Sequence, residues 1–358
     1  IGGDEAGKAS WPTCKLCQAR MKKEGLKDVN ELQSYLIHRI EVFLNGHNRK
    51  LLGWDEILEG GLAPNATVMS WRGTEGGIMT PGEFCYFDSY QDAPDSQPEA
   101  IGGYLPLSKV YSFNPVPDTL SAEKVGLVYG VQANLFTEYI PTPEHAEMMI
   151  YPRVLALAEV AWSAPSKKNY EDFHVRALKA VEELKKSGYN PFELKNEIGN
   201  RPGADKPVEH LAVGKKVTYG LDAAYYPGYA AGGDTALVDG VRGGWTYGDK
   251  RWQGFIDKKR MDITIDLEKE TELHFIGADF MQVCGPEVFM PAEVIISISD
   301  DGKDFTELKH IEHKVVKDDK VTFTNFGWEG NAKGRYVRYQ ATSGKFGGFL
   351  FTDEVVIK

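Results

Sequence analysis

The chain reads as an α/β protein in which parallel strands and helices, in the manner of a parallel α/β barrel, are followed by an all-β sandwich. Two observations predict this. Between residues 31 and 165, apolar runs of strand length each stop at an aromatic residue beside an acid or an arginine, with helical periodicity on either side. From about His210 onward the texture changes to short alternating runs separated by turn residues, the pattern of antiparallel strands.

Taken in order, Ile1-Gly2-Gly3-Asp4-Glu5 reads as a strand end opening into a tight loop, because paired glycines adopt backbone angles that other residues avoid. Adjacent carboxylates push one pKa upward, and a raised carboxylic acid suits a general acid near neutral pH. Leu32, Tyr35, Leu36, Ile40, Phe43 and Leu44 recur at helical spacing and predict a helix over Asn30–Gly46. Strands are expected at Lys50–Trp54, Ala66–Trp71, Phe84–Asp88 and Leu127–Phe136, the last interrupted by Gly130. Residues 72–83 then form a glycine-rich link that barely reaches the length of a parallel crossover, so a helix is truncated there or residues are absent. Glu144–Trp162 predicts a helix that Pro152 should kink, and Val175, Leu178, Val181 and Leu184 mark another. Asn190–Pro207 has the composition of a linker. Residues 262–266, 294–299, 336–339 and 353–357 are the clearest sandwich strands, in a domain of ordinary size.

A formal charge of −11 disfavours a nucleic-acid partner, which needs a basic face to replace counterions. No apolar run approaches the roughly 20 residues of a membrane span. Because the chain begins with Ile1, it carries no information on a signal segment. Cys14 and Cys17 form a C-x-x-C, with Cys85 and Cys284 isolated, which favours structural thiols or a local disulfide over a metal or redox centre.

The strand ends carry Trp54-Asp55-Glu56, Trp71-Arg72, Tyr86 with Asp88, and Phe136 with Glu138. Carboxyl ends of strands supply the functional groups of parallel barrels, and acids alternating with aromatics there suit a sugar pocket. With Gly2-Gly3-Asp4-Glu5, Gly53-Trp54-Asp55-Glu56, Ser70-Trp71-Arg72-Gly73, Cys85-Tyr86-Phe87-Asp88, Gly130 to Glu138, Tyr151-Pro152-Arg153 and Ala158 to Trp162, residues 1 to about 165 resemble the family 20 glycoside hydrolases, the β-N-acetylhexosaminidases. The resemblance implies exo-acting, retaining hydrolysis of terminal β-linked N-acetylhexosamine, with the substrate's own 2-acetamido carbonyl as nucleophile and an oxazolinium intermediate. By the family's pattern Glu5 is the acid and then the base, while Asp4 orients the acetamido group. Tyr86 bonds its oxygen, Trp54 and Trp71 wall its methyl, and Asp88 and Glu138 hold sugar hydroxyls. Phe136 stands where the family usually has a stacking tryptophan.

The resemblance also implies the C-terminal half of a (β/α)8 TIM barrel, from the end of strand four to helix eight, over residues 1–189. A linker over 190–209 and a galactose-binding-like jelly-roll sandwich over 210–358 complete the chain. The sandwich is similar to the F5/8 type C modules through Leu237 to Gly240, Arg251 to Phe255, Val294 to Asp301 and Arg335 to Tyr339. Its Trp245, Tyr247, Tyr226 and Tyr229 either stack on sugars or pack the module. No cofactor is expected of the hydrolase; some such modules hold calcium, but no ligand set is readable here. Half a closed barrel exposes two edges, so the missing N-terminal half is an expected partner and the chain by itself is expected to be inactive. The other expected partners are N-acetylhexosamine-terminated glycans, and the expected location is exported: periplasmic, cell-surface or secreted. Two rival readings are a glycan-binding protein with a decayed barrel and a barrel glycosidase that uses two protein carboxylates.

Overall fold

The computed structural model describes residues 1–358 except 4, 62, 64, 74–76, 118–119, 221–223, 257–260 and 319, and omits the side chain of 124. The chain forms two compact units, residues 1–89 with 105–195 and residues 90–104 with 196–358.

The first unit opens with helices α1 (Lys15–Glu24) and α2 (Val29–Gly46). Asp28 starts α2 by accepting the N–H groups of Asn30 and Glu31 at 2.8 and 2.9 Å, which satisfies two donors that have no partner inside the helix. The buried face of α2 carries Gln33, Ile37 and Glu41. Ile40 and Leu44 pack beside Ile37 onto Leu51, Ile57 and Val68, whereas Leu36 and Phe43 of the apolar pattern are exposed.

Four short strands come next, β1 (Leu52–Trp54), β2 (Thr67–Ser70), β3 (Gly77–Met79) and β4 (Val128–Val131). They form one parallel sheet in sequence order. The expected strand at Phe84–Asp88 is corrected: Gly82–Cys85 is a helical turn, α3, and the strand is Gly77–Met79. Gly77 makes this strand work. Its φ is +136°, and a Cβ there would lie 2.3 Å from the carbonyl oxygen of Val68, so only glycine lets β3 approach β2. The link between these parallel neighbours is thereby confined to residues 71–76, and no helix crosses over among the described residues.

Beyond the sheet come α4 (Leu107–Ser112), α5 (Pro143–Ile150), α6 (Arg153–Trp162) and α7 (Tyr170–Lys186). The helix expected over Glu144–Trp162 is two helices, broken at Tyr151-Pro152, where proline cannot donate a hydrogen bond and its ring crowds the preceding turn. Phe173, Ala177 and Val181 are the buried line of α7, while Val175 points outward. Together with Met79, Phe87, Leu105, Val110 and Leu157 they make the core on this side of the sheet.

Arg153, at the start of α6, has no exposed surface. Its guanidinium donates to four backbone carbonyls, those of Met149, Phe87, Ser89 and Leu105, and lies 5.0 Å over the Phe87 ring. Burial pulls its pKa down to about 9, opposed by the negative charge of Asp88, and this leaves it charged at neutral pH. One side chain therefore supports the backbone on both sides of Asp88.

In the second unit, β5 (Lys216–Tyr219), β6 (Gln253–Ile256), β7 (Met261–Gln282), β8 (Pro291–Ser299), β9 (Thr306–Glu312), β10 (Thr322–Ser343) and β11 (Phe349–Ile357) form an antiparallel β-sandwich. The long strands β7 and β10 pair along almost their whole length, with register shifts at Glu329/Ala332 and Gly334/Tyr336 that bend them. The first half of β7 pairs with β5 and its second half with β11. Ile263, Ile265, Ile276, Phe280, Ile296, Val337 and Tyr339 lie in the core between. Residues 196–207, part of the segment with linker composition, are packed into this unit. Asp92 accepts the N–H groups of Ile198 and Gly199, and Arg201 is buried against Asp353 and Asp279.

All four cysteines are free thiols, with Cys85 buried and Cys14, Cys17 and Cys284 partly exposed. Among the described residues, no helix is long and apolar enough to cross a membrane. Nor does any group of three or more His, Cys, Asp or Glu side chains there come together to hold a metal ion.

Arg153→Met should cost about 3–5 kcal/mol, because it strands several buried carbonyls and leaves Asp88 without its cation. Denaturant unfolding of the intact protein measures this; a loss below about 1 kcal/mol contradicts the role given to Arg153.

Candidate active site

The carboxyl ends of β1 to β4 are level. Trp54 is in register with Met69, Met69 with Ile78, and Met79 with Val131. The residues after each strand are therefore delivered to one edge of the sheet. Residues 1–3 join that edge, since Ile1 N donates to the Leu52 carbonyl at 2.6 Å and Trp54 N to the Ile1 carbonyl at 3.2 Å. The segment thus runs beside β1 and releases its loop where β1 ends.

Asp4 lies outside the described residues. Glu5 is exposed on a turn with φ +56° and lines a cavity of about 420 Å³ with Gly3, Ala6, Gly7, Lys8, Glu56, Glu59 and Arg72. The loop is tied at its base by Gln33, whose side-chain amide donates to the carbonyls of Gly3 at 3.1 Å and Glu56 at 3.3 Å. A Cβ on Gly3 would meet Gln33 Nε2 at 2.8 Å and Glu56 Cβ at 3.2 Å, so the second glycine of the pair permits this close approach.

Trp54, Tyr86 and Phe136 form one aromatic group. The Phe136 ring lies 6.4 Å from Trp54 and 5.7 Å from Tyr86, edge-on to the latter. Tyr86 is placed by a parallel bridge to Asn134, with Phe87 N donating to the Asn134 carbonyl and Asn134 N to that of Cys85, both at 2.8 Å. Asn134 is in turn held by Thr80 Oγ1 at 2.6 Å and Gln132 at 2.9 Å. Cys85, beside Tyr86, has no exposed surface, and burial pushes its thiol up to about 12.

Asp88 is 4% exposed, and its Oδ1 has no hydrogen-bond partner among the described residues. Burial raises its pKa; Arg153 opposes the shift and Glu138 adds to it. Asp88 and Glu138 are thus close enough to feel one another, with Glu138 exposed and Asp88 at the base.

Trp71 has a different setting. Its indole Nε1–H donates to Glu56 Oε1 at 3.0 Å, and the Arg72 guanidinium lies 5.1 Å from its ring centroid. Its far side borders a second cavity of about 590 Å³, shared with Arg72, Met79, Phe84 and Phe113. Among the described ring contacts it makes none with Trp54, Tyr86 or Phe136.

The structure thus brings Trp54, Tyr86 and Phe136 together, sets Asp88 beside Glu138, and places Glu5 in a cavity that reaches Trp71 through Glu56 and Arg72. Sequence reasoning assigned no role to Asp55, Glu56, Arg72, Gln33 or Arg153. The first three sit inside the strand-end motifs and were readable as candidates. Gln33 left only a polar interruption in the α2 pattern, and the role of Arg153 needs backbone distant in sequence.

In the second unit, Trp245 is buried, donating to the Gly199 carbonyl at 2.7 Å, and Tyr247 stacks on Phe351 at 4.9 Å. Tyr226 keeps an exposed face beside Tyr229 and Phe349.

Residues 1–165 match the model of the glycosyl hydrolase family 20 catalytic domain, and residues 222–354 that of the F5/8 type C domain. A beta-hexosaminidase of Porphyromonas gingivalis is 51% identical over 201 residues, covering 53% of this chain and 26% of that protein. One of Vibrio furnissii is 31% identical over 171 residues, covering 44% of this chain and 28% of that protein. The aligned part thus spans about a quarter of the length of these curated relatives. Among solved structures, a family 20 exo-β-N-acetylglucosaminidase of Vibrio harveyi in complex with N-acetylglucosamine is 28% identical. Its TM-score is 0.46, over 54% of this chain and 32% of that one.

Because burial raises the Asp88 pKa, the folded state binds its proton more tightly than the unfolded chain does. Stability from this group therefore falls as pH rises from the unfolded value, about 3.9, through the raised folded value. Asp88→Asn should lose that slope, so that in thermal unfolding between pH 4 and 7 the variant gains on the wild type as pH increases.

Proposed function

We propose, from the premise that residues 1–165 belong to the family 20 glycosyl hydrolase catalytic domain, that the intact protein removes terminal β-linked N-acetylhexosamine from glycans by substrate-assisted catalysis. The observation that carries the reading is the convergence at one sheet edge of the Glu5 loop, the Trp54–Tyr86–Phe136 group and the Asp88–Glu138 pair. Aromatic faces suit the apolar side of a sugar ring, and a buried acid suits its hydroxyls.

In the first step the acetamido carbonyl oxygen attacks C1, the bond from C1 to the leaving oxygen breaks, and Glu5 gives that oxygen its proton. An oxazolinium ion results. Glu5, now a carboxylate, takes a proton from water as the water oxygen attacks C1. The ring opens with configuration retained and the acetamido group restored. Asp4 holds the acetamido N–H and offsets the charge that develops on the ion, and Tyr86 bonds the acetamido oxygen. Trp54 and Trp71 wall the methyl, which keeps the internal nucleophile from rotating away. Phe136 offers the sugar a smaller face than tryptophan does.

A mechanism with two protein carboxylates is disfavoured by the setting of Glu56, an acid that lines the same cavity as Glu5. Its Oε1 accepts from both Trp71 and Arg72, so that oxygen is engaged in the frame of Trp71 and not presented as a nucleophile.

The intact protein should cleave a chromogenic β-N-acetylglucosaminide and leave the matching β-glucoside, which lacks the acetamido group, nearly untouched. Equal rates on the two would sink the substrate-assisted reading. Glu5→Gln should lower turnover of substrates with poor leaving groups by about 10²–10⁴-fold. Unchanged turnover removes Glu5 as the acid.

A further inference from the structure

We propose that Glu56 is a positioning residue, a buried carboxylate that fixes the ring of Trp71 relative to the loop bearing Glu5. The inference rests on the proposed function, in which Trp71 walls the acetamido group.

Asp55 and Glu56 come directly after β1 in a short 3-10 turn and are 2% and 4% exposed. Two adjacent buried acids are costly to place unless specific donors meet them. Among the described residues the donors that meet one oxygen of each are on Trp71 and Arg72, just beyond β2, while Asp55 Oδ1 and Glu56 Oε2 have no partner there. Glu56 Oε1 accepts Trp71 Nε1–H at 3.0 Å and Arg72 Nη2 at 2.6 Å. Asp55 Oδ2 accepts the Arg72 backbone N–H at 3.0 Å. Arg72 then returns over the Trp71 ring at 5.1 Å. The indole is held at its N–H edge and covered by a cation on one side, and the backbone after it is fixed.

An indole held only by apolar packing can slide or turn about its ring torsion; one whose N–H is bonded to a fixed anion cannot do so without breaking a charge-assisted bond. Glu56 is itself anchored to the acid loop. Gln33 binds its carbonyl and that of Gly3 with one amide, and Glu56 lines the same cavity as Glu5. The proton donor and the wall of the acetamido pocket therefore share one local frame, and the distance between them is set through Gln33 and Glu56. Neither Glu56 nor Asp55 is assigned to proton transfer: each acts through Trp71.

The test uses the intact protein, the chromogenic β-N-acetylglucosaminide and a thiazoline mimic of the bicyclic ion. Glu56→Ala is expected to lower kcat about 100-fold while KM changes less than about 3-fold, and to weaken the thiazoline more than the product sugar. Glu56→Gln, which keeps an acceptor for the indole, should recover kcat to within about 10-fold of wild type. Glu56→Ala with kcat within about 3-fold of wild type overturns the inference and leaves the proposed function standing. A wild type that does not distinguish the acetamido substrate from the glucoside overturns both. If Glu56→Ala does not fold, a double-mutant cycle of Glu56→Gln and Trp71→Phe decides. Non-additive losses, with the double variant within about 2-fold of Trp71→Phe alone, support the coupling, and additive losses overturn it.

Discussion

Parallel strands deliver chain to one edge of a sheet and then stop, and the backbone beyond them must find partners in the protein. In the first unit nearly every functional side chain is carried by such backbone. Its carbonyls and N–H groups are satisfied by buried polar side chains, not by more strand. Arg153 takes four carbonyls around Asp88, Gln33 takes those of Gly3 and Glu56, and Asp55 takes the N–H of Arg72. Unsatisfied groups at these depths are costly, so the polar scaffold is as much a condition of the fold as the apolar core is.

The same constraint explains why the pocket residues are spread across distant positions while their geometry is local. Trp54 leaves β1, Trp71 leaves β2, and Tyr86 leaves a turn bridged to Asn134 at the end of β4. Each ring meets a specific neighbour: Phe136 for Trp54 and Tyr86, Glu56 for Trp71. Rigid placement of this kind is what the proposed intramolecular nucleophile requires, because its advantage vanishes once the attacking group can swing away.

The ends of β1 and β2 were legible in the sequence, because Trp-Asp-Glu and Trp-Arg mark them without reference to distant residues. The sandwich strands were legible too, since period-two alternation is a local signal. What was misread depended on contacts. The Phe84–Asp88 run has strand composition, yet Gly77–Met79 became the strand because glycine at 77 admits the Val68 carbonyl. The apolar stripe of α2 named Leu36 and Phe43, but the buried face includes Gln33 and Glu41, whose partners lie in other segments. Arg153 looked like one member of a motif; its role appears only when residues 87, 89 and 105 are folded around it.

The position of Cys85 has a practical consequence for chemical labelling. Its thiol sits directly before Tyr86, yet full burial and a pKa of about 12 keep it from forming the thiolate that electrophiles attack. Cys14, at the start of α1, is its opposite: partly exposed, and lowered by hydrogen bonds from the backbone and side chain of Cys17. A maleimide or iodoacetamide dye therefore enters the molecule at the C-x-x-C or at the partly exposed Cys284, and spares Cys85. Fluorophores or spin labels can be attached through native cysteines, with Cys85 left unmodified beside Tyr86.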